Sequence, residues 1–147
     1  MKIKDLFNKT IIIRLILAFA FLVAGLLIYL ATRSGTYVND MFGFIKLPQL
    51  VPDTAFKEFI FNWGADFLWV VSFTLALSSF VEKPITATVI VFGLGLLFEL
   101  FQLFGITTGT FDIFDIVAEL LGAIIVFVPL RCRDKRIGNK EKKKKKK

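Results

Sequence analysis

Long apolar blocks organise the chain, and the polar residues that interrupt them carry as much information as the blocks. Leu15 to Thr32 is free of charge, and Ile85 to Phe111 contains only Glu99. A helix needs roughly 20 predominantly apolar residues to cross the hydrocarbon core of a bilayer. The pattern predicts an all-α, polytopic membrane fold with four transmembrane helices, over residues 11–31, 64–81 (GADFLWVVSFTLALSSFV), 85–104 and 112–130. Ahead of the second span, PDTAFKEFIFNWG offers Asp53 or Thr54 as an N-cap after Pro52, and Phe56, Phe59, Ile60 and Trp63 recur at helical spacing. This predicts an interfacial helix lying along the membrane surface before the second span. A simple extension of that span is the alternative.

Composition agrees with the pattern. The 147 residues are 56% hydrophobic and have a mean hydropathy of +0.71, more than a soluble fold of this size could readily bury. The net charge of +7 raises nucleic acid as a partner, but its distribution argues against one. Of 19 basic residues, 4 lie in 1–14 and 11 in 131–147, whereas residues 15–130 hold 9 of the 12 acids. Basic ends around an acidic body read as topology: Lys2, Lys4, Lys9 and Arg14 keep the N-terminus cytoplasmic, and the tail does the same for the C-terminus. An even number of spans follows. The loop 32–62 and the turn FGITTGT then face outward, VEKPI faces inward, and Tyr29, Tyr37 and Trp63 fall near the outer interface.

Residues 1–130 are expected to form a single four-helix transmembrane domain, with 131–147 as a disordered basic cytoplasmic tail ending in KEKKKKKK. Arg131, Arg133, Lys135 and Arg136 are placed to meet anionic lipid at the bilayer surface. The start, MKIKDLFNKTIIIR, resembles a signal-peptide n-region. The apolar segment after it is longer than a usual h-region, and Arg33 disfavours cleavage around Ala31 to Gly35, so the first helix is expected to be uncleaved. The lone Cys132 allows no intrachain disulfide. The absence of His removes the usual neutral-pH base and the commonest transition-metal ligand, which argues against zinc hydrolase chemistry.

Candidate chemistry lies in ELFQLFGITTGTFDIFDIVAELLG, residues 99–122, which holds four carboxylates and no Lys, Arg or His. The predicted topology brings Asp66, Glu99, Gln102, Asp112 and Asp115 toward the outer side, with Glu119 deeper. Asp112, Asp115, Glu119 and Gly122 are spaced i, i+3, i+7 and i+10, so they share one helix face, as do Glu99 and Gln102. A charged Asp at the centre of a lone span costs about 2.5–3.5 kcal/mol, which directs these faces into a shared outward crevice. Asp112 also suits an N-cap and Asp115 a first turn. That structural reading explains Glu99, near a helix C-terminus, and Glu119, two turns into a span, poorly. No internal cation can neutralise the group, which leaves protonation, shared protons or a cation from outside. Oxygen ligands such as Glu99, Asp112 and Asp115 would suit Mg or Ca; no other cofactor is evident. Gly93 and Gly95, and Ala118 with Gly122, are expected to let helices approach closely.

The sequence Glu99-x-x-Gln102, an outer turn, then Gly109-Thr110-Phe111-Asp112-x-x-Asp115 with Gly122 behind it, resembles the second half of VanZ-like membrane proteins. NWGADFLW is similar to the segment where such proteins carry an acid at the start of a span. The resemblance covers residues 62–129. The chain departs from it at Glu119, where an uncharged polar residue is more usual, and in lacking a basic residue in FGITTGT. The resemblance implies a protein of the bacterial cytoplasmic membrane, acting at the outer leaflet in cell-envelope function or susceptibility to teicoplanin-type glycopeptides. Its partners would be the lipid bilayer and an envelope precursor or glycopeptide. Two other classes stay open: a metal-dependent enzyme acting on a lipid-linked envelope substrate, and a cation- or proton-handling protein. The sequence offers no recognisable nucleophile for the enzyme reading, and IIVFVPL gives no polar step below Glu119 for a proton path.

Overall fold

The computed structural model describes residues 9–32, 41–42, 53–107 and 109–144, with backbone alone from 134 onward. Lys2, Lys4, Arg33, Tyr37 and the side chains of Lys135 and Arg136 lie outside what is described. The chain forms α1 (Lys9–Thr32), α2 (Ala55–Leu77), α3 (Pro84–Leu103) and α4 (Ile113–Lys144). Each contains a stretch long and apolar enough to cross a membrane; in α4 it is Ile113–Arg133. Among the described residues the fold is all-helical, and these four helices are those of a multi-pass membrane protein.

Packing follows the chemistry of that solvent. Small and polar residues lie inside, among them Ala18, Ala65, Ser72, Thr74, Ala87, Ala118 and Ala123, whereas Ile16, Phe19, Val89 and Phe98 are more than half exposed. Water would drive the large apolar side chains inward. Lipid does not, so helices associate through close backbone approach and buried hydrogen bonds.

The helices alternate in direction. Arg14 meets Ser78, Ala18 meets Ser72, and Gly25 meets Trp69, so α1 and α2 run antiparallel. Phe67 faces Gly122 and Val71 packs with Val126, so α4 runs parallel to α2. Gly95 faces Glu119 and Glu99 meets Asp112, which sets α3 antiparallel to α4. The principal contacts form the chain α1–α2–α4–α3, with α2 and α4 at its centre. The Ser72 hydroxyl donates to the Ala18 carbonyl at 2.7 Å, and Tyr29 stacks on Trp69 with ring centroids 5.5 Å apart.

One end of the bundle is basic. Arg14 Nη1 donates to the Ser78 carbonyl at 2.9 Å, and Arg133 Nη2 donates to Thr10 Oγ1 at 2.9 Å. These bonds gather the start of α1, the α2–α3 turn and the end of the α4 span. At the opposite end lie the start of α2 and the α3–α4 turn, which carry the acids.

Three boundaries differ from expectation. First, no break separates a surface helix from the second span: α2 is continuous from Ala55, as the alternative reading had it. Thr54 caps it, its Oγ1 accepting from Lys57 N at 3.3 Å, and an exposed Asp53–Lys57 ion pair (2.7 Å) closes the first turn. Second, α2 ends at Leu77 and not at residue 81, because Ser78 to Val81 turn toward Pro84, which opens α3. Third, α4 does not end at 130; the helix passes Pro129 and continues to Lys144, through residues expected to form a disordered tail. Lys and Arg are good helix formers, and the preceding span supplies the costly nucleus.

Candidate functional site

The acidic end is built from three helix termini. Asp112 starts α4: its Oδ1 accepts from Phe114 N at 2.9 Å, and its carbonyl accepts from Asp115 N at 3.1 Å. Its other carboxylate oxygen, Oδ2, accepts from the Trp63 indole of α2 at 3.0 Å. The capping reading of Asp112 therefore describes its geometry, with an added role: the same carboxylate ties α2 to α4. Trp63 also packs on Phe59 and Phe114, with centroids 5.2 and 5.1 Å apart.

Glu99, one turn before the end of α3, is buried at 6% exposure. Its Oε2 accepts from Asp112 N at 3.4 Å and its Oε1 from Gln102 Nε2 at 3.5 Å, so the E-x-x-Q face meets the start of the D-x-x-D face. Accepting from a backbone N–H at the start of α4 gives Glu99 favourable dipole contact across the interface, which offsets its place at the C-terminal end of its own helix. Gln102 packs over Gly109; a Cβ there would sit 2.8 Å from Gln102 Oε1. Gly109 has φ +132° and Gly105 φ +66°, backbone that glycine adopts without a steric penalty, and this lets the α3–α4 turn fold tightly beneath the amide.

Asp115 and Glu119 follow one and two turns into α4, buried at 7% and 8% exposure. Glu119 lies against α3 at Gly95, where a Cβ would overlap its carboxylate. Gly95, Glu99 and Gln102 thus form one face of α3, opposed to Asp112, Asp115 and Glu119 on α4. Asp66, half-buried on α2, is close enough to act electrostatically on Glu119 together with Glu99 and Asp115. Carboxylates from α2, α3 and α4 are therefore electrostatically linked through Glu119. Glu119 Oε2 is buried and has no hydrogen-bond partner among the described residues.

The six candidates divide accordingly. Asp66, Glu99, Asp115 and Glu119 converge, Gln102 covers the turn, and Asp112 is engaged as a cap and strut. Among the described residues, no three acidic or thiol side chains form a group that could hold a metal ion. In the set Glu99, Asp112 and Asp115, both Asp112 oxygens accept from protein donors. The sequence presents Trp63 as an interface aromatic and Gly95 as a packing glycine, and both prove to shape the site. A signal for Gly95 is present in the spacing, since it lies four residues before Glu99 on the same face. Gly93, paired with it in that expectation, faces outward, and a Cβ there would meet nothing within 4 Å.

The basic candidates lie at the other end. Arg131 lies over the Phe127 ring at 5.5 Å and Arg133 holds Thr10, both exposed at the edge of the α4 span. No family model, curated protein or solved structure matches the chain.

Proposed function

We propose that the chain is a VanZ-like protein of the bacterial cytoplasmic membrane, with both termini cytoplasmic, whose carboxylates recognise a cationic group at the outer leaflet. The ligand in this reading is an amine-bearing envelope precursor or glycopeptide. The observation that carries it is Glu119 Oε2, buried without a hydrogen-bond partner among the described residues and within electrostatic reach of Asp66, Glu99 and Asp115. Lys and Arg are absent from 58–82 and 84–130; within the spans that build the cluster, Lys57 is paired with Asp53, and Arg131 and Arg133 lie at the opposite end. A primary ammonium supplies three donors and one positive charge, the complement of such a group.

The apolar layer one turn deeper favours a closed pocket over a conducting path. Val70, Val91 and Ala123 pack together there, with Leu77 and Phe92 against them. In the same reading the first two turns of α2, with Phe56 and Phe59 exposed beside the Asp53–Lys57 pair, lie in the outer headgroup region.

The test is susceptibility of bacterial cells expressing the wild type or the Glu99→Gln/Asp115→Asn double variant to teicoplanin-type glycopeptides. At matched protein level, the wild type is expected to lower susceptibility and the double variant to have no effect. Equal protection by the two proteins would refute the site.

A further inference from the structure

A second feature lies in the half of the bundle away from the acids. Since α1 and α4 both pack on α2 more extensively than on each other, a cleft of about 280 Å³ remains between them. Its floor is Phe67, Val71 and Leu75 of α2, and its walls are Phe21 of α1 with Val126 and Pro129 of α4. The lining is almost wholly apolar, and in a bilayer such a cleft is open to acyl chains.

Charge at one mouth of the cleft identifies the occupant. Arg133 is four residues past Pro129 and so continues the same face of α4 one turn toward the basic end. Arg14 is two turns before Phe21 on α1 and continues that wall in the same direction. The bonds from Arg133 to Thr10 and from Arg14 to the Ser78 carbonyl hold both guanidinium groups at that end of the cleft. Guanidinium groups match phosphate oxygens in geometry and charge. We infer that the cleft between α1 and α4 is a binding site for one anionic phospholipid, its phosphate at Arg133 and Arg14 and an acyl chain along Phe21, Val71, Leu75 and Pro129.

Lipid at this site would stand in for direct α1–α4 packing and fasten the first helix to the rest of the bundle. The inference does not depend on the function proposed for the carboxylates, which lie at the other end. Its test is native mass spectrometry of the full chain purified with equimolar phosphatidylglycerol and phosphatidylcholine. The expected result is one retained lipid, with phosphatidylglycerol favoured. Arg133→Gln, a change at an exposed residue, should lower the anionic preference about five-fold. Leu75→Trp should fill the cleft and reduce retention of both lipids, an effect that general attraction to the lysine tail would not produce. Equal retention of the two lipids by the wild type, or retention unchanged in both variants, would overturn the site. A dimer mass that Leu75→Trp abolishes would overturn it too, by assigning the cleft to a second copy.

Discussion

Glu119 sits in an environment that is costly for a carboxylate. Its carboxylate is buried, lies within electrostatic reach of three other acids and leaves one oxygen without a hydrogen-bond partner among the described residues. Glu119→Gln keeps the shape and removes the charge, and is expected to raise the thermal midpoint in detergent, a gain of about 0.5–2 kcal/mol typical when a functional group is neutralised. A fall in the midpoint would mean that the carboxylate is structural. Much of this cluster was legible from spacing alone: the i, i+3 and i+7 intervals place Asp112, Asp115 and Glu119 on one face, and the cost of a charge in lipid turns that face inward. The partner of Asp112 was not legible. Trp63 lies 49 residues earlier, and only the parallel packing of α2 on α4 brings its indole to 3.0 Å.

At the scale of elements, close approach at small residues holds the bundle together, and the positions differ in what they tolerate. A Cβ on Gly122 would meet the Phe67 backbone carbonyl at 2.7 Å, an atom that cannot swing aside. Gly122→Ala is therefore expected to cost about 1–3 kcal/mol by overpacking, measured as a lowered midpoint and reduced accumulation in membranes. Gly93→Ala meets open space and should be neutral or stabilising by up to about 1 kcal/mol, through helix propensity. Similar losses for the two would contradict the packing described. The sequence distinguishes these glycines only in part. Ala118 and Gly122 form a small-xxx-small pair on the acidic face, whereas Gly93 and Gly95, two residues apart, cannot share a face, and the sequence alone does not say which one meets a helix. Helix ends were harder still. Thr54 caps the start of α2, and at its other end the Ser78 carbonyl accepts from Arg14, a residue 64 positions away.

Among the described residues the bundle is polarised, with Arg14, Arg131 and Arg133 at one end and Asp66, Glu99, Asp112 and Asp115 at the other. The four spans among the described residues, with the start of α1 and the end of the α4 span at one end, were legible, because lipid demands long apolar runs and four of them return the chain to its starting side. The packing order α1–α2–α4–α3 was not, since every span is apolar and contacts in lipid are chosen by small residues and single hydrogen bonds such as Ser72 to Ala18. The function proposed here requires the acidic end to face outward. The most direct measurement is labelling of Gln102→Cys in intact cells by a membrane-impermeant maleimide, with the native Cys132 as an internal reference in the same chain. The account predicts that the cysteine at position 102 reacts in intact cells and Cys132 only after permeabilisation. Labelling of Cys132 in intact cells, with position 102 protected until the membrane is opened, would contradict it.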